Sequence, residues 1–205
     1  MTMQPYLALL LTVAATTATA QPAAAPAVSA APPVQTAPAP APAADATYEQ
    51  KDVINAAERA FGKGASGVAG VIEKIFKENG RPTAYIEGRE VGGAVVVGLR
   101  YGSGTLHHKV EGDMPVYWTG PSLGVDFGGD GSKTFALVYR LDDTADLFKR
   151  YPAVEGKVYA VGGFTANYLQ RGRVIVVPVK LGVGWRLGAN LGYLKFTKTS
   201  KLSPF

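Results

Sequence analysis

All twenty-five glycines of this 205-residue chain lie between Gly62 and Gly192, and beyond Pro82 they punctuate runs whose apolar residues recur at every second position. Residues i, i+2 and i+4 share one face of a strand, so this portion must fold as sheet. The clearest run is 182–193, where Val183, Trp185, Leu187, Ala189, Leu191 and Tyr193 alternate with Gly184, Arg186, Gly188, Asn190 and Gly192. Strand patterns also fit 84–87, 94–101, 106–110, 116–119, 134–141, 157–164 and 174–181, with a brief helical insert around 142–150. Short strands joined by turn glycines predict a mainly β domain, a small antiparallel β-barrel of about eight strands.

Two helices precede the sheet. Thr47-Tyr48-Glu49-Gln50 has capping-box spacing, and a helix is expected from there to Phe61 with Val53, Ile54, Ala57 and Phe61 on one face. A second helix is expected over 66–78, burying Val68, Val71, Ile72, Ile75 and Phe76, with Asn79-Gly80 as its stop and Pro82 beyond. The break at 62–67 spells G-x-G-x-x-G, but it follows a helix rather than a strand. A dinucleotide fingerprint needs the strand, so a helix–helix turn is the expected reading.

Residues 1–44 carry no charged side chain. Residues 6–14 have the length of a signal-peptide apolar core, and Ala18-Thr19-Ala20 supplies a small-x-small cleavage site. Residues 1–20 are therefore expected to be a cleavable signal peptide, which places the protein in the periplasm. Residues 21–46 are nearly all Ala and Pro and read as a disordered linker with polyproline character. The remainder, 47–205, is long enough for one domain with its own core. With no Cys, that core has no disulfide support, and lipidation lacks its acceptor.

The same residues bear on a barrel in the outer membrane. Membrane strands need about ten residues with a lipid-facing band, whereas 84–87 and 116–119 read as too short. The runs Val95-Val96-Val97 and Val174-Ile175-Val176-Val177 are apolar on both faces, and Pro204 interrupts the terminal strand. A soluble barrel is the expectation.

Lys+Arg of 21 against Asp+Glu of 16 gives a net charge of +5 with the basic residues scattered. That balance suits anionic envelope material such as lipid headgroups or acidic glycans, and lacks the concentrated basic stripe of a nucleic-acid binder. His107 and His108 are adjacent on a strand, point to opposite faces and cannot chelate one metal together. Asp113, Asp126 and Asp130 are loop carboxylates, and 126–132 lacks the ligand density and closing Glu of a calcium loop. Neither a catalytic residue, a cofactor nor a metal is implied. Tyr117, Trp118 and Pro121 form an aromatic stretch near a turn, and with Trp185 and Tyr193 they are the candidate contacts for a ligand or partner. Trp118 has an alternative reading as a core plug whose N–H is satisfied internally.

The segments 92–102 (GGAVVVGLRYG), 117–126 (YWTGPSLGVD) and 182–194 (GVGWRLGANLGYL) resemble, in order, those of the alphaproteobacterial envelope integrity protein A family. The resemblance runs from Glu49 to Phe205. It implies a soluble periplasmic β-barrel needed for envelope integrity and no catalytic residues. The expected function is non-enzymatic support of the envelope by binding a lipid, lipopolysaccharide or an envelope-assembly partner. A scaffold that contacts envelope proteins without a small ligand is the second reading, and a hydrolase of envelope glycans or lipids the third.

Overall fold

A computed structural model describes residues 46–62, 65, 67–93, 97–123, 132–181 and 192–200. Helix α1 (Gln50–Phe61) buries Val53, Ala56 and Ala57, while Ile54 and Phe61 pack at the margin of the same apolar cluster. Helix α2 (Val68–Asn79) buries all five residues expected of it. The capping box is not used. Glu49 occupies the N-cap position without a side-chain cap, because its carboxylate is taken by the Arg81 guanidinium at 2.6 Å. Thr47 is buried ahead of the helix, and the Tyr48 N–H donates to Pro82 O at 2.9 Å, tying the chain's entry to the start of the sheet.

Eight strands follow: β1 (Ala84–Gly93), β2 (Val97–His108), β3 (Gly112–Leu123), β4 (Ser132–Tyr139), β5 (Arg150–Val161), β6 (Phe164–Arg171), β7 (Val174–Leu181) and β8 (Tyr193–Thr197). They close into a barrel in the order β1-β2-β3-β8-β5-β6-β7-β4, every neighbouring pair antiparallel. Two three-stranded meanders are thus joined through β4 on one side and β8 on the other. Closure gives every strand a hydrogen-bonded neighbour on both sides, which limits the open edge where aggregation usually starts.

Several boundaries differ from the sequence expectation. The strands expected at 94–101 and 106–110 belong to one β2, whose glycines do not interrupt it. The run 157–164 crosses a hairpin: Gly162 and Gly163 take φ of 57° and 81°, a left-handed pair that few side chains tolerate. The helical insert is a single 3₁₀ turn, Thr144–Leu147, capped by Asp143, which accepts from the Ala145 N–H. Strand β8 runs past the expected end of the 182–193 pattern, most of which lies outside the described residues. The expected short strands 84–87 and 116–119 are parts of strands of 10 and 12 residues, so strand length does not separate this barrel from a membrane one.

Burial divides into two layers. Outward-facing Phe135, Leu137 and Tyr139 of β4, Phe164, Ala166 and Tyr168 of β6, and Val177 and Val179 of β7 join the buried faces of both helices in one cluster. The inward faces supply the other: Ile86, Leu106, Val116, Trp118, Ala136, Val138, Tyr151, Leu169, Val176, Leu194 and Phe196, with Leu141 and Leu147 from the β4–β5 connection. A register shift in β5 between Ala153 and Val158 lets its first part face the lumen in step with β8 and its last part lay Tyr159 and Val161 against the helices. Gly67, the last glycine of the G-x-G-x-x-G run, is needed for this docking. A Cβ there would lie 2.1 Å from the Gly162 carbonyl oxygen, so the start of α2 touches the β5–β6 turn through bare backbone.

Candidate functional site

The connections 82–83, 109–111, 140–149 and 172–173 lie at one end of the barrel. Leu141 and Leu147, both fully buried, fill the lumen there. His108 points inward beside them, its Nε2 at 2.8 Å from Leu141 O while Nδ1 accepts from the Val110 and Glu111 N–H groups at 3.3 and 3.0 Å. Those partners select the Nε2-protonated tautomer, and the histidine is a satisfied core residue. His107 faces outward, pairing with Asp113 at 2.8 Å and stacking on Tyr85. The two histidines are on opposite faces, as strand geometry requires.

The other end of the lumen, called the mouth here, is lined differently. Glu90, only 6% exposed, sits on the inward face of β1 in line with Ala84 and Ile86. It is bridged by Lys180 from β7 and accepts the indole N–H of Trp118 at 2.8 Å from β3. Burial by itself drives the Glu90 carboxyl upward, but the charges of Lys180 and Arg100 and the two hydrogen bonds outweigh it and hold the group below its ordinary 4.5. Among the described residues, two cations thus act on this one carboxylate.

Register explains how these groups meet. Glu90 lies opposite Gly102, which lies opposite Trp118; on the other side Gly88 lies opposite Thr134, which lies opposite Lys180. The two glycines are the floor on which Trp118 rests. A Cβ at Gly102 would fall 1.9 Å from the indole Cε2, and one at Gly88 would fall 2.7 Å from Cη2. Only bare backbone lets the ring lie flat enough to bring its N–H to Glu90.

Three polar side-chain atoms on this part of the wall have no hydrogen-bond partner: Arg100 Nε, Thr134 Oγ1 and Asn167 Oδ1. Buried polar groups are normally paired, and an orphan costs about 1–3 kcal/mol. Outside the same end, Val91, Leu99 and Leu181 are 49%, 36% and 60% exposed, and Val91 and Leu99 with Gly92 and Tyr101 line a shallow hollow. Three of the four exposed large apolar side chains among the described residues thus rim the mouth.

The expected contact residues that are described divide between the two faces of β3 and β8. Trp118 is 2% exposed and belongs to the lumen, while Tyr117 points out of the barrel. Tyr193 also faces outward, under the Arg150 guanidinium at 4.3 Å from its ring. Pro121 packs close to Gly192 on β3's approach to β8. Trp185, Asp126 and Asp130 lie outside the described residues. Glu90, Arg100, Thr134, Asn167 and Lys180 were not singled out from sequence. Their signal was present: Glu90 and Lys180 interrupt the inward apolar series Ala84-x-Ile86 and Val174-x-Val176-x-Pro178 with a charge. Among the described residues no cluster of His, Cys, Asp or Glu is arranged to hold a metal, and no helix is long and apolar enough to cross a membrane.

The family model described as envelope integrity protein A matches residues 46–205. The chain is similar to a crystal structure of an uncharacterised β-barrel-like protein from Brucella abortus, with a TM-score of 0.72 and 45% sequence identity. That match covers 78% of this chain and 99% of the other. No curated protein matches the chain.

Proposed function

The chain belongs to the envelope integrity protein A family, and on that premise we propose that it is a non-enzymatic, soluble periplasmic protein that supports the cell envelope by holding a lipid or lipopolysaccharide at the barrel mouth. The observation that carries this reading is the pairing of a charged, incompletely satisfied lumen with an apolar rim. An amphipathic molecule has both halves of that chemistry. The apolar outer faces of β4, β6 and β7 are covered by the two helices and the lumen core is apolar, whereas a membrane barrel turns its apolar outer band to lipid around a polar interior. Export through a signal peptide at 1–20 and a linker at 21–46 completes the proposal.

The scaffold reading draws on the outward pair Arg150 and Tyr193 together with Lys195 on β8 and Lys198 just past its end, a basic and aromatic surface. The hydrolase reading has less behind it. The His107–Asp113 pair stands on the outer wall with Asp113 largely exposed, where nothing excludes water from a reaction.

Native mass spectrometry of the protein purified gently from its own envelope, followed by denaturing extraction, tests the proposal. A stoichiometric lipid or glycolipid is the expected result. A bare mass from a folded protein would shift the function to protein partners.

A further inference from the structure

Resting on the reading that the mouth holds a ligand, we infer that the group recognised inside it is a phosphate, free or esterified to a lipid, bound by Arg100 and Lys180 with the hydroxyl of Thr134. Among the described residues Glu90 faces both Lys180 and Arg100, a local balance of two positive charges to one negative beside apolar side chains, where electrostatic attraction is stronger than in water. A cation is disfavoured there, and an apolar tail leaves the orphaned groups unsatisfied.

The donors then narrow the class. Arg100 Nε–H has no acceptor, and a guanidinium offers only donors. Thr134 is 4% exposed with its hydroxyl unpartnered, and it stands directly opposite Lys180 across β4 and β7. Donors projected from three different strands, β2, β4 and β7, suit a tetrahedral group with several acceptor oxygens better than a planar carboxylate with two. A monoprotonated phosphate also has an O–H for Asn167 Oδ1, the third orphan. Trp118 is committed to Glu90 through its N–H, so it orients the carboxylate rather than the ligand.

Titration calorimetry of the purified protein in phosphate-free buffer, once with inorganic phosphate and once with monomeric dihexanoylphosphatidic acid, tests this. Binding of either is expected, weakened at least about tenfold in Arg100→Gln, whose guanidinium is replaced by a neutral amide. Thr134→Val, close to isosteric and leaving every ion pair in place, is expected to weaken binding about three- to tenfold and guards against a misfolded Arg100→Gln. Binding of phosphate alone identifies a soluble anion, and binding of the phosphatidic acid alone identifies a lipid headgroup. Binding of neither, or binding unchanged in both variants, overturns the inference. A co-purifying lipid alongside a failed titration leaves the ligand proposal standing without the phosphate. Phosphate binding lost in Arg100→Gln with no co-purifying lipid does the reverse.

Discussion

The two ends of this barrel's lumen are built from the same strands, yet one is finished and the other is not. At the closed end each inward group is apolar or paired: Leu141 and Leu147 fill space, and His108 satisfies one carbonyl and two N–H groups. At the mouth a buried carboxylate is bridged to a lysine and a tryptophan while three polar atoms have no partner. An eight-stranded barrel is just wide enough for its side chains to fill. Where they fill it the result is stability, and where charge replaces hydrocarbon some stability is given up. Buried ion pairs are weak evidence for stabilisation, since desolvation offsets much of their attraction, so the mouth is better explained by binding than by folding.

Variants at the two ends sharpen that contrast. Phe196→Ala, in the apolar lumen 5.7 Å from Tyr151 and 6.4 Å from Trp118, has the largest expected effect. It should cost about 3–5 kcal/mol in urea unfolding, through lost burial and the cavity left behind. Gly102→Ala should cost about 1–3 kcal/mol by overpacking, because the new methyl must displace the indole from Glu90. Near-ultraviolet circular dichroism of Trp118 should change with it. A variant as stable as the parent would show that the ring does not need its glycine floor.

The pH dependence follows from Glu90. Its folded value lies below 4.5, so the stability it adds is fully present above that value and is lost as pH falls through the folded one. Acid unfolding should therefore show a loss that is smaller in Glu90→Gln, read as the difference in urea midpoint between about pH 6 and pH 3. The smallest effect is expected for Thr134→Val. Its hydroxyl has no partner to lose, so stability should change by less than about 0.5 kcal/mol. Strong destabilisation would show that the hydroxyl is satisfied in solution and the mouth is finished after all.

Much of the fold was legible in the residues because period and glycine placement report on geometry directly. The buried face of α2 read off without error because it repeats at the helical period, and the span of β7 because a continuous apolar run lies between Gly172 and Gly182. The errors have a common physical origin. Gly102 and Gly104 look like breaks, but Gly102 is space for Trp118 and Gly104 for the backbone of Glu87 and Gly88, both contributed by other strands. Gly162 and Gly163 sit inside an apparently continuous run, and only their left-handed conformation reveals the turn. The same limit hid the candidate site. Trp118 stood out as an aromatic, but whether it faced solvent or the lumen depended on the parity of β3 within a closed barrel. Glu90, Arg100 and Lys180 are 80 or more residues apart at the extremes, and only strand order brings them to one place. A charge on the inward parity of an otherwise apolar strand is the clue that would have found them.

The central claim is that the mouth binds and the closed end only holds the fold together. Amide and indole chemical-shift mapping of the purified protein, titrated with dihexanoylphosphatidic acid, addresses it most directly. The account predicts shifts at Glu90, Arg100, Thr134, Lys180 and the Trp118 indole N–H, with His108, Leu141 and Leu147 unmoved. Shifts confined to the outer wall, or spread equally to the closed end, would contradict it.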